Sequence, residues 1–546
     1  LAFGVFSLLH FSPALGIAIV IGLVLFAGRE LRGLWSLVAC AVALAAVIWS
    51  GQRQHSWWSP YYFITMHANA VQPASGNTLQ LAEAPFAPPP ANLRTMQDPP
   101  VYTARVNQDF YQMHGAIDPR RYTPGSALQL LIGKHAEQYD LPYRVIENPR
   151  RVLILGAGGG MDTEAALLRG AQRVDAVEID PVLPQLSARY NAAAPLADPR
   201  VVLHIDDARA FLQKTTDQFD LVVFGHLDSQ ALFSYGTSVR LDGYIYTVEG
   251  FRQAFARVAP EGIMSVSFAA MREWLAQKMS QMIEEATGAP PIVYIASGTM
   301  TFIASKQTRP NPPAEIGAWK LKQVVKRPVQ LATDDWPYLY LEKRGVPADY
   351  AIIIGVLLVI SLGALCFFRG AGIGAGDGHF LLLGWGFLLL QTKSIGDCSL
   401  YFGTTWLVTL FVIVGVLIMV LLANWAALRF VREFRFWLYV PLFVSLLFVI
   451  FVPRELILGQ ALGWRIAWTV LIVPLPIFFA GLIFSTTFRE SPHPALSLGA
   501  NLIGATLGGF CEYLGMWVGS HALSYLVIAA YAGSLLCQRR SRAVQS

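Results

Sequence analysis

Four short apolar runs each end in residues able to do chemistry. Arg151-Val-Leu-Ile-Leu155 flows into Gly156-Ala-Gly-Gly-Gly160, and a helix-like stretch from Asp162 to Arg169 follows. Glycines suit that place because the backbone must turn sharply and approach a ligand closely while the amides of a helix N-terminus face it. A second run, Val174-Asp-Ala-Val-Glu-Ile-Asp180, puts Glu178 about 20 residues after the first glycines, where a carboxylate accepts both hydroxyls of a ribose. A third, Val201-Val-Leu-His-Ile205, ends in Asp206-Asp207-Ala208. A fourth, Phe219-Asp-Leu-Val-Val-Phe224, ends in Gly225-His226-Leu227-Asp228. In an open α/β sheet such strand ends converge on one crevice. Gly156, Gly158, Gly160, Glu178 and Asp207 are therefore the predicted nucleoside-binding set, with Asp228 and His226 as catalytic candidates beside it.

Each of these readings has a plainer rival. The glycine turn alone is compatible with a tight turn that binds nothing, and it lacks the lysine of a GxxxxGK[ST] phosphate loop. A nicotinamide dinucleotide is the runner-up ligand, because the spacing of the acid fits it too. Asp228 is as well placed to cap a helix as to act on a substrate, and a lone histidine such as His226 is more often structural. Arg240, Asp242, Tyr244 and Tyr246 form a polar and aromatic loop predicted to cover the crevice, with Tyr244 and Tyr246 touching substrate. The alternative makes these tyrosines core anchors whose hydroxyls find local partners.

The chain that must position these groups is apolar. Of its 546 residues 54% are hydrophobic and only 14% charged, which places it in the membrane class. The formal charge of +5 comes without a basic run interleaved with aromatics, which excludes a nucleic-acid surface. Cys40, Cys366, Cys398, Cys511 and Cys537 all fall in apolar stretches without metal-ligand spacing, so no metal is expected. Runs near 12–28, 34–50, 350–368, 379–398, 403–427, 436–453, 464–486, 494–517 and 521–537 are long enough to cross a bilayer as helices, giving at least nine spans.

The expected organisation is an N-terminal transmembrane pair over 1–50, a small β-rich subdomain with a Pro-rich loop over 51–140, a Rossmann-like nucleoside-binding domain over 141–347 and a bundle of about seven spans over 348–540. The sequence opens at Leu1 within an apolar run, with neither an initiator Met nor a leader pattern, so the first pair reads as incomplete. Lys393 and Glu512 stand in or near the ends of apolar helices, where an unpaired charge is expensive. They are candidates to pair with each other, the plainer account being a snorkelling lysine and a glutamate bonded to a neighbouring helix. Gly504, Gly508 and Gly509 give a small-residue face for close helix packing. Asp334 and Asp335, before Trp336-Pro337, are expected to fix the domain–membrane junction through backbone hydrogen bonds.

Trp58-Ser-Pro-Tyr-Tyr62, Leu141-Pro-Tyr143, Val152-Leu-Ile-Leu-Gly-Ala-Gly-Gly-Gly160, Val177-Glu-Ile-Asp-Pro181 and Tyr246-Thr-Val-Glu-Gly-Phe251 together resemble the spermidine synthase family of aminopropyltransferases. With Thr333-Asp-Asp-Trp-Pro-Tyr-Leu-Tyr340, Gln391-Thr-Lys-Ser-Ile395 and Phe402-Gly-Thr-Thr-Trp406, the chain more closely resembles the membrane-embedded, fused members of bacteria. The implied architecture is a polytopic α-helical membrane protein with an inserted α/β Rossmann-like domain of the S-adenosylmethionine-dependent methyltransferase type and a small N-terminal β-subdomain. The implied donor is S-adenosylmethionine or its decarboxylated form, with Glu178 on the ribose, Asp207 on the adenine and Gln108, in Val106-Asn-Gln-Asp-Phe-Tyr111, near the sulfonium end. The implied reaction is attack of a polyamine nitrogen on the aminopropyl carbon beside sulfur, which needs a carboxylate to take the proton.

Two departures stand out. Where the resemblance calls for the proton-accepting Asp at the end of the fourth strand, this chain has Gly225, although Asp228 matches the second acid there. Where it calls for the Asp of the glycine loop that steadies the donor's amine, the chain has Gly159, and Asp162 comes three residues later. One reading is thus a membrane transferase. The others are an inactive, synthase-like subunit with a docking role and a transporter with a nucleoside-sensing domain.

The implied partners are the bilayer, the nucleoside donor, a polyamine and partner membrane subunits, in a bacterial inner membrane. The basic loops at Arg29 and Arg32, at Arg429, Arg432 and Arg435, and at Arg539, Arg540 and Arg542 belong in the cytoplasm by the positive-inside rule. Counting spans from them puts the soluble domain on the other side, away from a cytoplasmic donor, and re-entry of 379–402 removes that conflict only at the C-terminal end.

Overall fold

The computed structural model describes residues 18–19, 21–22, 38–45, 55–73, 79–106, 109–225, 227, 243–268, 272–296, 299–307, 312–367, 375–431 and 433–545. The spans expected at 12–28 and 34–50 lie largely outside them. The chain divides into two compact units: the first runs to Arg327 but leaves out residues 238–247, which belong with the second, from Pro328 onward.

The first unit opens with a small antiparallel sheet: β1 (Ser56–Trp58), β2 (Phe63–Pro73), β3 (Leu79–Ala84), β4 (Tyr102–Val106) and β5 (Asp109–His114), in the order β1-β2-β4-β5 with β3 on β2. Along β2 the buried residues are Ile64, Met66 and Ala68, the period of two that a strand with one covered face requires. That face, with Tyr102, Ala104 and Val106, packs on Val182, Leu183, Leu186 and Tyr190 of a helix in the larger part of the unit. The packing fixes β5 beside the glycine turn described below.

The larger part begins with helix α1 (Ala127–Val145). It continues through β6 (Arg151–Leu155), α2 (Met161–Leu168), β7 (Arg173–Glu178), α3 (Val182–Tyr190), β8 (Val201–Ile205), α4 (Ala208–Lys214) and β9 (Phe219–Phe224). After these come α5 (Val248–Ala256), β10 (Val258–Phe268), α6 (Glu273–Thr287), β11 (Ile292–Ala296), β12 (Thr299–Ser305) and the short β13 (Glu315–Ile316) and β14 (Trp319–Leu321). The strand order is β13-β14-β11-β12-β10-β9-β6-β7-β8. β8, β7, β6, β9 and β10 are parallel, and β12 runs against β10. β6 and β9 are almost wholly buried, as strands covered by helices on both faces must be. The order reverses between β6 and β9, which is where sheets of this kind take their ligands. This is the Rossmann-like, methyltransferase-type fold.

The second unit is helical: α7 (Ala348–Phe367), α8 (Ala375–Phe402), α9 (Trp406–Arg429), α10 (Tyr439–Phe451), α11 (Leu475–Arg489), α12 (Pro494–Cys511) and α13 (Ser520–Gln545). Among the described residues four segments are long and apolar enough to cross a membrane: Leu407–Arg429, Leu462–Arg489, Pro494–Val518 and Ser520–Arg542. Ala348–Ser361 and Phe436–Phe451 are shorter apolar helices. The span expected at 379–398 forms as part of α8, a helix that carries Asp377, Lys393 and Asp397 and is not among the four. The small-residue face is used as expected. A β-carbon on Gly504 would fall on the Leu381 carbonyl oxygen, and one on Gly508 on that of Trp385, so α12 lies backbone to backbone on α8.

Lys393 finds its partner in Asp397, one turn on in α8, and not in Glu512. Asp397 is also approached by Arg454 at 3.5 Å and by the Ser520 hydroxyl at 3.4 Å, and Arg454 reaches His521 at 3.2 Å. Lys393, Asp397, Arg454 and His521 line a cavity of about 380 Å³ whose remaining wall is mostly apolar. With the Lys393 side chain only 8% exposed, Asp397→Ala strands a nearly buried ammonium. The expected cost is about 3 kcal/mol, the low end for a buried pair because Asp397 is partly open. Thermal melting of the detergent-solubilised chain checks it, and an unchanged melting point would contradict it.

Candidate functional site

The turn after β6 is tied to β7 at its start. The Gly156 and Ala157 N–H groups both donate to the Val177 carbonyl, each at 2.9 Å. Gly156 (φ +79°), Gly158 (φ +47°) and Gly160 (φ +86°) adopt the left-handed backbone that favours glycine. Each also faces a close neighbour. A β-carbon on Gly156 would meet Leu227, one on Gly158 the Gln112 side-chain oxygen, and one on Gly160 the Pro195 ring at 2.6 Å. Gly159 is held on both sides: its N–H donates to Gln112 Oε1 at 3.1 Å, and its carbonyl accepts from Ser187 Oγ at 2.8 Å and Asn191 Nδ2 at 3.1 Å.

Glu178, at the end of β7, is 4% exposed. Its Oε2 accepts from the Gly158 N–H at 2.7 Å and its Oε1 from the Asp180 N–H at 2.9 Å. Burial pushes its carboxyl up to about 7, against the pull of those N–H donors. A carboxylate offers about four lone-pair sites, so two remain for a vicinal diol. Asp180 starts α3 by accepting from the Val182 N–H at 2.8 Å. The Glu178 carbonyl accepts from the Asp206 N–H at 3.0 Å, which brings the end of β8 alongside. Asp207 follows as the N-cap of α4, accepting from the Ala210 N–H at 2.9 Å. Glu178 is thus bonded to the glycine turn, and Asp207 stands at the adjoining strand end.

Gly225 extends the β6–β9 ladder, donating to the Leu155 carbonyl at 2.9 Å. A β-carbon there would stand 2.7 Å from Asp162 Oδ2 and 2.9 Å from the Gly156 carbonyl oxygen. The place of a strand-end side chain is therefore taken by the carboxylate of Asp162, from the first turn of α2. Burial pushes that carboxyl up to about 7 as well.

One residue of this site escaped the sequence reading, and another was noted there only as lying three residues past Gly159. Gln112, on β5, reaches the glycine turn from the small sheet, and Asp162 fills the space beside Gly225. His114 orients Gln112. Burial lowers its imidazole to about 4, so it is neutral, and its Nε2 accepts from Gln112 Nε2 at 3.1 Å. The period of two along Asp109–His114 places Gln112 and His114 on one face of β5, a signal that could have found them.

Gln108, His226, Asp228, Arg240 and Asp242 lie outside the described residues. Tyr244 and Tyr246 belong to the second unit. The Tyr244 hydroxyl donates to the Gly396 carbonyl at 3.2 Å, and Tyr246 is buried. In the same unit Asp334 accepts from the Thr247 hydroxyl at 2.8 Å and Asp335 from the His521 N–H at 2.7 Å. Among the described residues no group of three or more His, Cys, Asp or Glu side chains is placed to hold a metal ion.

Residues 135–297 match the family model described as the spermine/spermidine synthase domain. The chain is 33% identical over 112 residues to a polyamine aminopropyltransferase of Streptococcus pneumoniae serotype 4, covering 18% of this chain and 38% of that protein. It is 37% identical over 92 residues to spermidine synthase 1 of Pisum sativum, covering 16% and 28%. The match thus spans well under half the length of either relative. A solved structure, spermidine synthase from Thermotoga maritima, aligns at 12% identity and a TM-score of 0.29 over 48% of this chain and 76% of its own. The family match thus runs from within α1 to just past β11, and among the described residues it is followed along the chain by four helices long and apolar enough to cross a membrane.

Proposed function

We propose that the first unit binds decarboxylated S-adenosylmethionine and transfers its aminopropyl group to an amine, or binds S-adenosylmethionine itself and transfers the related aminocarboxypropyl group, in a multi-pass protein of the bacterial inner membrane. The observation that carries this reading is Glu178, which closes the glycine turn with one lone pair on each oxygen and keeps the others for a ribose, beside Asp207 at the switch point of the sheet. In the reaction the amine lone pair attacks the carbon beside the sulfonium. The carbon–sulfur bond breaks, neutral methylthioadenosine leaves, and the new ammonium gives up a proton to a base. Gln112 keeps the loop closed beneath the donor by holding the Gly159 N–H.

The test is release of methylthioadenosine by the purified full chain given decarboxylated S-adenosylmethionine and a panel of di- and polyamines. Turnover supports transfer. Gly225, with no acid of its own, favours a second reading, a subunit that binds the nucleoside and transfers nothing, and saturable binding with no turnover on any amine would select it.

Affinity for the nucleoside is expected to depend on pH in a stated direction. Hydroxyls donating to Glu178 favour its carboxylate, whereas burial in the free protein has raised it from 4.5 to about 7. Binding therefore releases a proton near neutral pH and weakens by up to about tenfold per unit as pH falls below 7. Calorimetry at pH 6.5 in two buffers of different ionisation heat reads that proton directly, and affinity independent of pH between about 5.5 and 8 would contradict it. The sign for stability is opposite: the free unit loses stability as pH climbs from 4.5 towards 7, because charging a carboxyl raised by burial costs the folded state.

A further inference from the structure

Among the described residues, the carboxylates at the ligand-facing ends of β6 to β9 are engaged with one exception. Glu178 accepts from Gly158 and Asp180, Asp180 from Val182, Asp207 from Ala210, and Asp206 is paired with Lys214 at 2.7 Å. Asp162 is only partly accessible, yet no described residue donates a hydrogen bond or offers an ion pair to it. A half-buried carboxylate without a protein donor, in the first turn of α2, has water or a ligand as its hydrogen-bond partner. Burial also brings it to about 7, where it can exchange a proton at neutral pH.

Its surroundings are short of partners too. The charge of Asp162 reaches Tyr139 and Tyr143 on α1, and the Tyr143 hydroxyl, on a residue 5% exposed, has no hydrogen-bond partner among the described residues. The position of the acid is defined by Gly225, whose absent side chain would start 2.7 Å from Asp162 Oδ2. Glycine at 225 and the acid at 162 are therefore one arrangement. A carboxylate stands at the end of β9, delivered by α2.

We propose that Asp162 is the catalytic carboxylate of this unit, receiving the attacking amine at the end of β9 and taking its proton. The proposal rests on the transferase reading above. As the nitrogen–carbon bond forms, the carbon–sulfur pair goes to sulfur, the positive charge passes from sulfur to nitrogen, and one N–H proton moves to an Asp162 oxygen. The products are a neutral substituted amine, methylthioadenosine and a protonated Asp162, which returns its proton to solvent.

Asp162→Asn keeps the volume and removes the proton acceptor. In the full-length protein it is expected to bind methylthioadenosine within about threefold of the unaltered chain while kcat falls by at least about 100-fold. A second variant, Asp162→Glu, keeps a carboxylate on the same turn of α2, one methylene longer. It is expected to recover at least about tenfold in kcat over Asp162→Asn, which a merely structural role for Asp162 would not produce. If the unaltered chain turns over and Asp162→Asn does so equally well, the proposal falls, the transferase reading stands, and the proton leaves through another group such as Asp228 or His226. If the unaltered chain turns over no amine, the transferase reading and the proposal fall together.

Discussion

Glu178→Ala is expected to weaken binding of methylthioadenosine to the full chain by at least about 100-fold, a loss of about 3 kcal/mol. Two losses add. The diol gives up two hydrogen bonds to a charged acceptor, each worth about 1.5–3 kcal/mol. The Gly158 and Asp180 N–H groups also lose the carboxylate that sets the loop. Glu178→Gln separates the two, since an amide has one oxygen for two N–H donors and turns its NH2 towards the other. It should fall between the unaltered chain and Glu178→Ala. Calorimetric titration reads all three, and an alanine variant within about threefold of the unaltered chain would remove Glu178 from the site.

The second large effect belongs to the helical unit. Gly504→Ala puts a methyl group onto the Leu381 carbonyl oxygen, a backbone atom that cannot yield unless α12 parts from α8. Overpacking of this kind costs about 3 kcal/mol, a fall of about 6–12 °C in melting temperature for a unit of this size. Gly499, in the same helix, has nothing within 4 Å of a built β-carbon, so Gly499→Ala is the control and should melt as the unaltered protein does. Equal melting of the two variants would show that α8 and α12 do not approach backbone to backbone.

What the sequence disclosed about this molecule is what local periodicity encodes. Apolar runs ending at Gly156, Glu178, Asp207 and Gly225 gave the parallel strands and their ligand end, because a buried strand and the turn after it are written in neighbouring residues. The glycines of α12 were legible for the same reason, being spaced to share one helix face.

The rest depends on partners that meet only in three dimensions. Counting along the fourth strand leaves Gly225 as a missing acid, whereas in space Asp162 stands there, carried by a helix some sixty positions earlier in the chain. Gln112 arrives from a separate sheet whose packing on α3 no single segment announces. For Lys393 the sequence offered Glu512 as a partner or a snorkelling side chain, and neither reading considered the i,i+4 partner Asp397 that it has in the fold. Tyr244, read as touching substrate with a structural anchor as the alternative, donates its hydroxyl to the Gly396 carbonyl, 152 positions away in the chain.

The most direct test of the central claim, that the first unit is an adenosyl-sulfonium site, is equilibrium titration of the purified full-length protein with decarboxylated S-adenosylmethionine, S-adenosylmethionine and methylthioadenosine at pH 7.5. The account predicts saturable binding of at least one of the three, with affinity that drops when the pH is lowered to 6. Heats no larger than dilution for all three would contradict it and leave the glycine turn and Glu178 as a scaffold without a ligand.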